Sequence, residues 1–383
     1  MKHSIIRLIA VAMWILVASA GGCVNQLVYD AQRCTDLPDK NPNAAIQSCT
    51  AVINSGKLSN HDIAAAYAAR GQSYSNLKDY PRALQDLTKS IASEPHAEAF
   101  NSRGITYDLM RDYASAIQDY DEAIRLRPDF PQAYSNRGLV YAEKGDERKA
   151  LQDFDKAISL QPGYAEAITN RAGTFLDIGE YDKAIQDWTT DLPLEHDSAA
   201  VLHDRAMAYN GKKDYPRALD DLTRAIDMSP NIYAFYYARG ATYFNLGQFD
   251  LAARDSCKAQ SLAQADPLTE IWCFIATSRS GKIPDIEAIK SSPAFRSSTW
   301  PVQILQMYAG QKASDEILKV AEKEGKKQLC EAYFFLGEYA FGRGNSRDAK
   351  ALFGKAVASR VLSTFEYFAA RAELDRITPN HPR

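Results

Sequence analysis

Apolar positions along this chain recur with the spacing of a helix, and the helical stretches recur with a longer spacing of their own. Laid out in rows of 34, the sequence aligns Arg70-Gly71, Arg103-Gly104, Arg137-Gly138, Arg171-Ala172, Arg205-Ala206 and Arg239-Gly240. Four residues after each arginine stands a ring: Tyr74, Tyr107, Tyr141, Phe175, Tyr209 and Tyr243. A second ring follows at Tyr80, Tyr113, Tyr181, Tyr215 and Phe249, then alanine at Ala83, Ala116, Ala150, Ala184, Ala218 and Ala252. Pro95, Pro128, Pro162 and Pro230 close four of the rows. Small residues such as Gly104 and Ala116 let two antiparallel helices approach, while Tyr107 and Tyr120 fill the space beside that contact. Gly145, Gly179 and Gly247 fall at the bend, where a positive φ is cheap without a Cβ. Pro128 and Pro162 end the second helix, because the residue before a proline is pushed out of helical geometry. Each row therefore predicts a helical hairpin that cannot bury its apolar face alone. Stacked rows predict an all-α, right-handed α-solenoid with degenerate capping repeats.

The pattern resembles the tetratricopeptide repeat family, whose unit is a helix-turn-helix of this period. Six tandem repeats are expected over residues 64–266. Before them, residues 23–63 read as a degenerate N-terminal repeat, with Tyr29 to Leu37 as an irregular first helix and residues 43–54 as its second. The period fades over 267–329, an irregular helical segment. It returns over 330–383 in Tyr333, Leu336-Gly337, Gly344, Ala349, Phe353 and Ala356, followed by a closing amphipathic helix from Thr364 to Ile377. Trp300-Pro301-Val302, Tyr308-Ala309-Gly310, the run Tyr333 to Tyr339, Ala351-Leu352-Phe353 and Glu366-Tyr367 look like the tail of the periplasmic lipoprotein NlpI group. That resemblance implies a non-enzymatic, homodimeric scaffold tethered to the outer membrane that gathers cell-wall hydrolases and a tail-specific protease.

Residues 1–22 read as an export signal: Lys2 and Arg7 precede an uncharged apolar run from Leu8 to Ala18, too short for a membrane span of roughly 20 residues. Two cleavage readings stay open. Ala18-Ser19-Ala20 would release a free Gly21, whereas Ala20-Gly21-Gly22-Cys23 is a lipoprotein signal in which Cys23 is acylated, anchoring a soluble body by lipid. An oxidising compartment lets cysteines pair. Cys34 and Cys49, and Cys257 and Cys273, stand at helix-turn-helix distances that two bridges would span; the other reading makes Cys257 and the left-over Cys330 small buried hydrophobes.

Charge and motif content narrow the function. The chain carries 45 basic and 48 acidic residues, a net of −3, which offers no basic face for nucleic acid. The sequence holds no H-E-x-x-H, G-x-S-x-G or phosphate-binding loop. His3, His61, His96, His196, His203 and His381 are scattered, and neither a catalytic group, a cofactor nor a metal is expected. Asp86, Asp119, Asp153, Asp187, Asp221 and Asp255 answer the row arginines from the facing helix. They predict a structural ladder, including Arg103 with Asp119, Arg137 with Asp153, Arg171 with Asp187 and Arg205 with Asp221, that sets register more than net stability. The inward places of the first helices hold Glu98, Asn101, Asp108, Gln132, Ser135, Glu166, Thr169, Asp177, His203, Asn210, Tyr237 and Phe244. They read as a concave partner groove, acidic and polar at one end and aromatic at the other. With no Lys or Arg among them, a clamp for a terminal carboxylate is disfavoured. Asn136 and Asn170 hint at an asparagine ladder for extended backbone, which Ser102 and Asp204 interrupt. Two function classes follow: an envelope adaptor holding other proteins near a membrane, or a secreted, unanchored solenoid serving as a chaperone or as part of a secretion or polysaccharide-export assembly.

Overall fold

The computed structural model describes residues 21–56, 58–192, 198–263, 265–296 and 300–378, with the backbone alone over 21–28 and at 198. The expected leader up to residue 20 and the side chain of Cys23 lie outside the described residues, as do His196 and His381. Among the described residues every regular element is helical, and no helix is long and apolar enough to cross a membrane. The chain divides into two compact units, Met1–Ala167 and Ile168–Arg383.

The first unit holds α1 (Gly21–Asp36), α2 (Pro42–Asn54), α3 (Asn60–Asn76), α4 (Tyr80–Ser93), α5 (Ala97–Leu109), α6 (Tyr113–Leu126), α7 (Pro131–Glu143) and α8 (Glu147–Leu160). The dividing line falls within α9 (Ala165–Ile178). Consecutive helices pair as hairpins, and the pairing follows from side-chain size. A Cβ on Gly104 would come within 2.7 Å of the Tyr120 ring, so only glycine lets α5 lie this close to α6. The second helices start at aspartate caps: the side chains of Asp79, Asp112 and Asp146 accept the N–H groups of Arg82, Ser115 and Lys149. The bend before each cap is left-handed. Gly145 takes it at φ 75°, and Lys78 and Arg111 take the same position at φ 61°. Cys34 and Cys49 are bonded and tie α1 to α2, with both sulfurs buried. Replacing the two together by alanine should lower the stability of this unit by about 3 kcal/mol on the loop-closure estimate, which a drop in melting temperature would register.

The second unit holds α10 (Tyr181–Asp191), α11 (Ser198–Gly211), α12 (Tyr215–Met228), α13 (Tyr233–Asn245), α14 (Phe249–Ala263) and α15 (Pro267–Arg279). Three short pieces follow: α16 (Ile286–Ser291), a 3-10 turn (Ala294–Arg296) and α17 (Val302–Tyr308). Then come α18 (Ser314–Glu324), α19 (Lys326–Gly342), α20 (Ser346–Ala358) and α21 (Phe365–Ile377). Cys257 and Cys273 are bonded between α14 and α15, while Cys330 is a free buried thiol whose pKa burial pushes up to about 11. The core of this unit centres on Trp272, stacked on Phe334 with centroids 5.4 Å apart and edge-on to Phe244 at the same distance. Arg279, half-buried here, lies between two buried acids, donating to Glu338 at 2.9 Å and Glu373 at 3.1 Å.

The closing helix departs from the expected end cap. Instead of covering only the last hairpin, α21 packs against α11 and α13 as well as α19 and α20. Phe365, Phe368, Ala369 and Ala372 supply its buried stripe. Its arginines meet helix ends: Arg371 donates to the carbonyls of Asn210 and Gly211 at 3.2 and 2.9 Å, and Arg376 to the carbonyl of Asn245 at 2.8 Å. Those carbonyls end α11 and α13, where a helix leaves acceptors unfilled and favours a cation.

Candidate functional site

The arginine of each row bonds the aspartate of the same hairpin through two nitrogens. Nε and Nη2 of Arg103 reach Asp119 at 2.8 Å each, and those of Arg137, Arg171 and Arg205 reach Asp153, Asp187 and Asp221 at 2.7–2.8 Å. The third nitrogen does something the row alignment left unread. Nη1 of Arg103 donates to Thr88, that of Arg205 to Thr189 and that of Arg239 to Thr223, each on the second helix of the preceding hairpin. Nη1 of Arg137 reaches Asp121 in the same way. The ladder thus bonds within hairpins and stitches neighbours together, which is a structural task.

The open recess lies in the first unit. A cavity of about 720 Å³ is bordered by Gln72, Ser75 and Asn76 of α3, by Glu98, Asn101, Ser102 and Ile105 of α5, and by Pro131 and Gln132 of α7. Arg127, Asp129 and Phe130, between α6 and α7, and Gln161 after α8 complete its wall. Asn136 Nδ2 donates to Asn101 Oδ1 at 3.0 Å. Whichever way the two amides are turned, that bond uses one of their four N–H groups and leaves further N–H donors and a carbonyl oxygen unengaged by it. Gln72 and Asn76 are held by Asp39, at 2.9 and 3.1 Å. Arg127 donates to Glu98 at 2.6 Å and lies 3.5 Å over the Phe130 ring, while its Nε is buried with no acceptor. The recess therefore does contain a cation. Arg127 comes from the loop between rows, outside the first helices whose inward places define the expected groove.

Of the inward candidates, Glu98, Asn101 and Gln132 border this recess. Ser135 is buried, and Glu166, near the unit's edge, accepts from the Tyr164 hydroxyl at 2.6 Å. Asp108 is half-buried, and burial together with nearby Glu143 pushes its pKa up to about 6. An acid raised above its unfolded value binds its proton more tightly when folded, so the ionised form is the penalised one. That penalty is absent below about pH 4 and complete above about pH 6. Asp108→Asn should raise stability at pH 7.5 by about 1 kcal/mol, allowing for partial exposure, and change nothing at pH 3.5; melts at the two pH values decide it.

The other candidates belong to the second unit, and the structure corrects the aromatic half of the groove. Asn210 and Phe244 are fully buried, and the Tyr237 hydroxyl donates to Glu366 of α21 at 2.8 Å. Asn210 and Phe244 are therefore closed to a partner, and Tyr237, half-buried, is engaged by the chain's own closing helix. Thr169 bonds Asp191, and Asp177 is exposed on α9. His203 is half-buried, bonding Asp204 and lying 5.7 Å from the Phe235 ring. Among the described residues no three His, Cys, Asp or Glu side chains are arranged to hold a metal ion.

Comparison with known proteins matches several of the rows. Models described as tetratricopeptide repeat match residues 64–96, 131–164 and 203–267, and one described as TPR repeat matches 112–145. The chain thus carries tetratricopeptide repeats over residues 64–96, 112–164 and 203–267. Among curated proteins it is similar to the lipoprotein NlpI homolog of Haemophilus influenzae, 26% identical over 151 residues. That match spans 37% of this chain and 47% of the relative, so less than half of the relative's length is represented. Among solved structures, a tetratricopeptide repeat protein from Parabacteroides merdae aligns with a TM-score of 0.50 at 19% identity, covering 66% of this chain and 99% of that one. The anaphase-promoting complex hetero-tetramer Cut9–Hcn1 aligns at 0.53 and 17% identity, covering 71% of this chain and 52% of that one. These likenesses place the fold among the tetratricopeptide solenoids. As such a scaffold, the protein serves protein–protein interaction.

Proposed function

We propose that the protein is an exported, non-enzymatic adaptor whose first unit holds an extended segment of a client protein in its polar recess. The observation that carries this reading is the Asn101–Asn136 pair. Its spare donor and spare acceptor match the carbonyl and N–H of a peptide in extended conformation, the pairing that backbone recognition requires. Gln72, Asn76 and Gln132 add neutral polar groups around it, so affinity comes from the client's main chain and from the Glu98–Arg127 pair at the wall. Similarity to a lipoprotein supports a cell-envelope location with Cys23 as the lipidated residue. The NlpI resemblance supports cell-wall hydrolases or a protease as clients. Immobilised protein carrying Asn101→Leu with Asn136→Leu should retain far fewer client proteins from periplasmic extract than the unaltered chain, and equal retention would remove the recess from consideration. Palmitate labelling of the mature protein separates the anchored adaptor from a secreted, unanchored chaperone or assembly component.

A further inference from the structure

We propose that the outward face of α20 is a docking surface for an acidic α-helix of a partner protein, separate from the polar recess of the first unit. Residues 339–365 carry five cations, Arg343, Arg347, Lys350, Lys355 and Arg360, and a single acid, Asp348, in a chain whose net charge is −3. All five cations are exposed. Several surface cations elsewhere are paired, as Lys149 is with Asp146, Lys212 with Asp182 and Lys282 with Asp250. None of these five is in an ion pair among the described residues. Arg343 donates to the Tyr339 hydroxyl at 3.2 Å and Lys355 lies 5.4 Å from the Tyr333 ring centroid, contacts that position the charges without neutralising them. Asp348 is engaged by Asn345 at 2.6 Å.

Between the cations the outer surface of α20 is Ala351, Gly354 and Ala358, whose spacing of three and four puts them on one helix face. The opposite face, Ala349, Phe353 and Ala356, is fully buried. Glycine inside a helix is destabilising relative to alanine, so it calls for a reason. At Gly337 the reason is internal, since a Cβ would come within 2.5 Å of Phe353. At Gly354 a Cβ would meet no atom within 4 Å. Packing within the chain does not ask for glycine there, whereas close approach by another backbone does.

The shape selects the occupant. A recessed strip of small side chains, edged by Lys350 on one side and Lys355 on the other, fits a convex rod with acids along both flanks. It is the arrangement by which the hairpins of this chain pair with one another. A flat layer of anionic headgroups would gain nothing from the recess. No large apolar side chain is exposed over residues 339–365 to enter a bilayer. Opposite charges on the two sides would steer the encounter and make it sensitive to salt.

The test uses the full chain and a labelled, helical 18-residue peptide with an alanine stripe flanked by glutamates, beside the same peptide with glutamine for every glutamate. Fluorescence anisotropy should show the glutamate peptide binding at least about tenfold more tightly than its neutral counterpart, with affinity falling as salt rises. Lys350→Glu with Lys355→Glu should abolish that preference. Gly354→Leu, which keeps every charge and projects into open space, should fold as judged by circular dichroism and still weaken binding by about tenfold. Equal binding of the two peptides, or a Gly354→Leu protein that binds as well as the parent, overturns the proposal. So does absence of peptide binding alongside association with vesicles of about 30% phosphatidylglycerol, which would assign the face to lipid.

Discussion

Arg205→Ala should destabilise the second unit by about 3 kcal/mol, because it removes the two-point partner of Asp221, only 2% exposed, and leaves that carboxylate with Arg224 alone at 3.7 Å. The guanidinium bonds that carboxylate at 2.8 and 2.7 Å and also donates to Thr189 at 3.0 Å, so three hydrogen bonds vanish with one side chain. Replacing both partners by apolar residues of similar volume, Arg205→Met with Asp221→Leu, should recover most of the loss, because desolvation had already offset much of the attraction. Urea unfolding of the parent, the single and the double variant checks both statements. Midpoints are the safer comparison, since a repeat array need not unfold in one step. A single variant within about 1 kcal/mol of the parent would mean that the pair is far better hydrated than its burial implies.

Phe368→Ala should cost about 3–5 kcal/mol, the range for emptying the site of a fully buried phenylalanine. Phe368 lies edge-on to Tyr181 at 6.4 Å and to Tyr367 at 5.5 Å, so it anchors α21 near the start of α10 as well as within its own helix. Loosening that anchor should also uncover Tyr237 and Phe244, and a dye that brightens on apolar surface should report it before global unfolding. If the loss of stability appeared without added dye binding, α21 would be staying seated through its arginine contacts with α11 and α13.

What could be read from the chain before its structure was known has a physical boundary. The hairpins, their glycine contacts and the Arg–Asp register depend on residues a fixed number of places apart, so a 34-residue alignment exposes them. Thr88, Thr189 and Thr223 occupy one row position and were equally available. Their role becomes apparent only when the guanidinium is counted as three bonding nitrogens, not as a single charge. The full burial of Phe244 and the engagement of Tyr237 lie beyond such reasoning. They rest on contacts such as Tyr237 to Glu366, 129 residues apart, which no period encodes. Row logic placed both rings on the inward face, and it is that face which α21 occupies. Arg127 escaped for a related reason: a groove lined by first helices is also walled by the loops that join the rows.

Helix α21 reaches two successive hairpins through arginines five positions apart, one at the end of α11 and the other at the end of α13. A rigid rod pinned at both points acts as a ruler, fixing the pitch between those repeats against twisting. In the first unit neighbouring repeats are joined by side-chain bonds such as Arg103 to Thr88 and by the apolar cluster of Ala97, Ala123, Phe130 and Ala133. The spacing of repeats is thus set by a helix of the chain itself in the stretch where the chain has already supplied its own occupant.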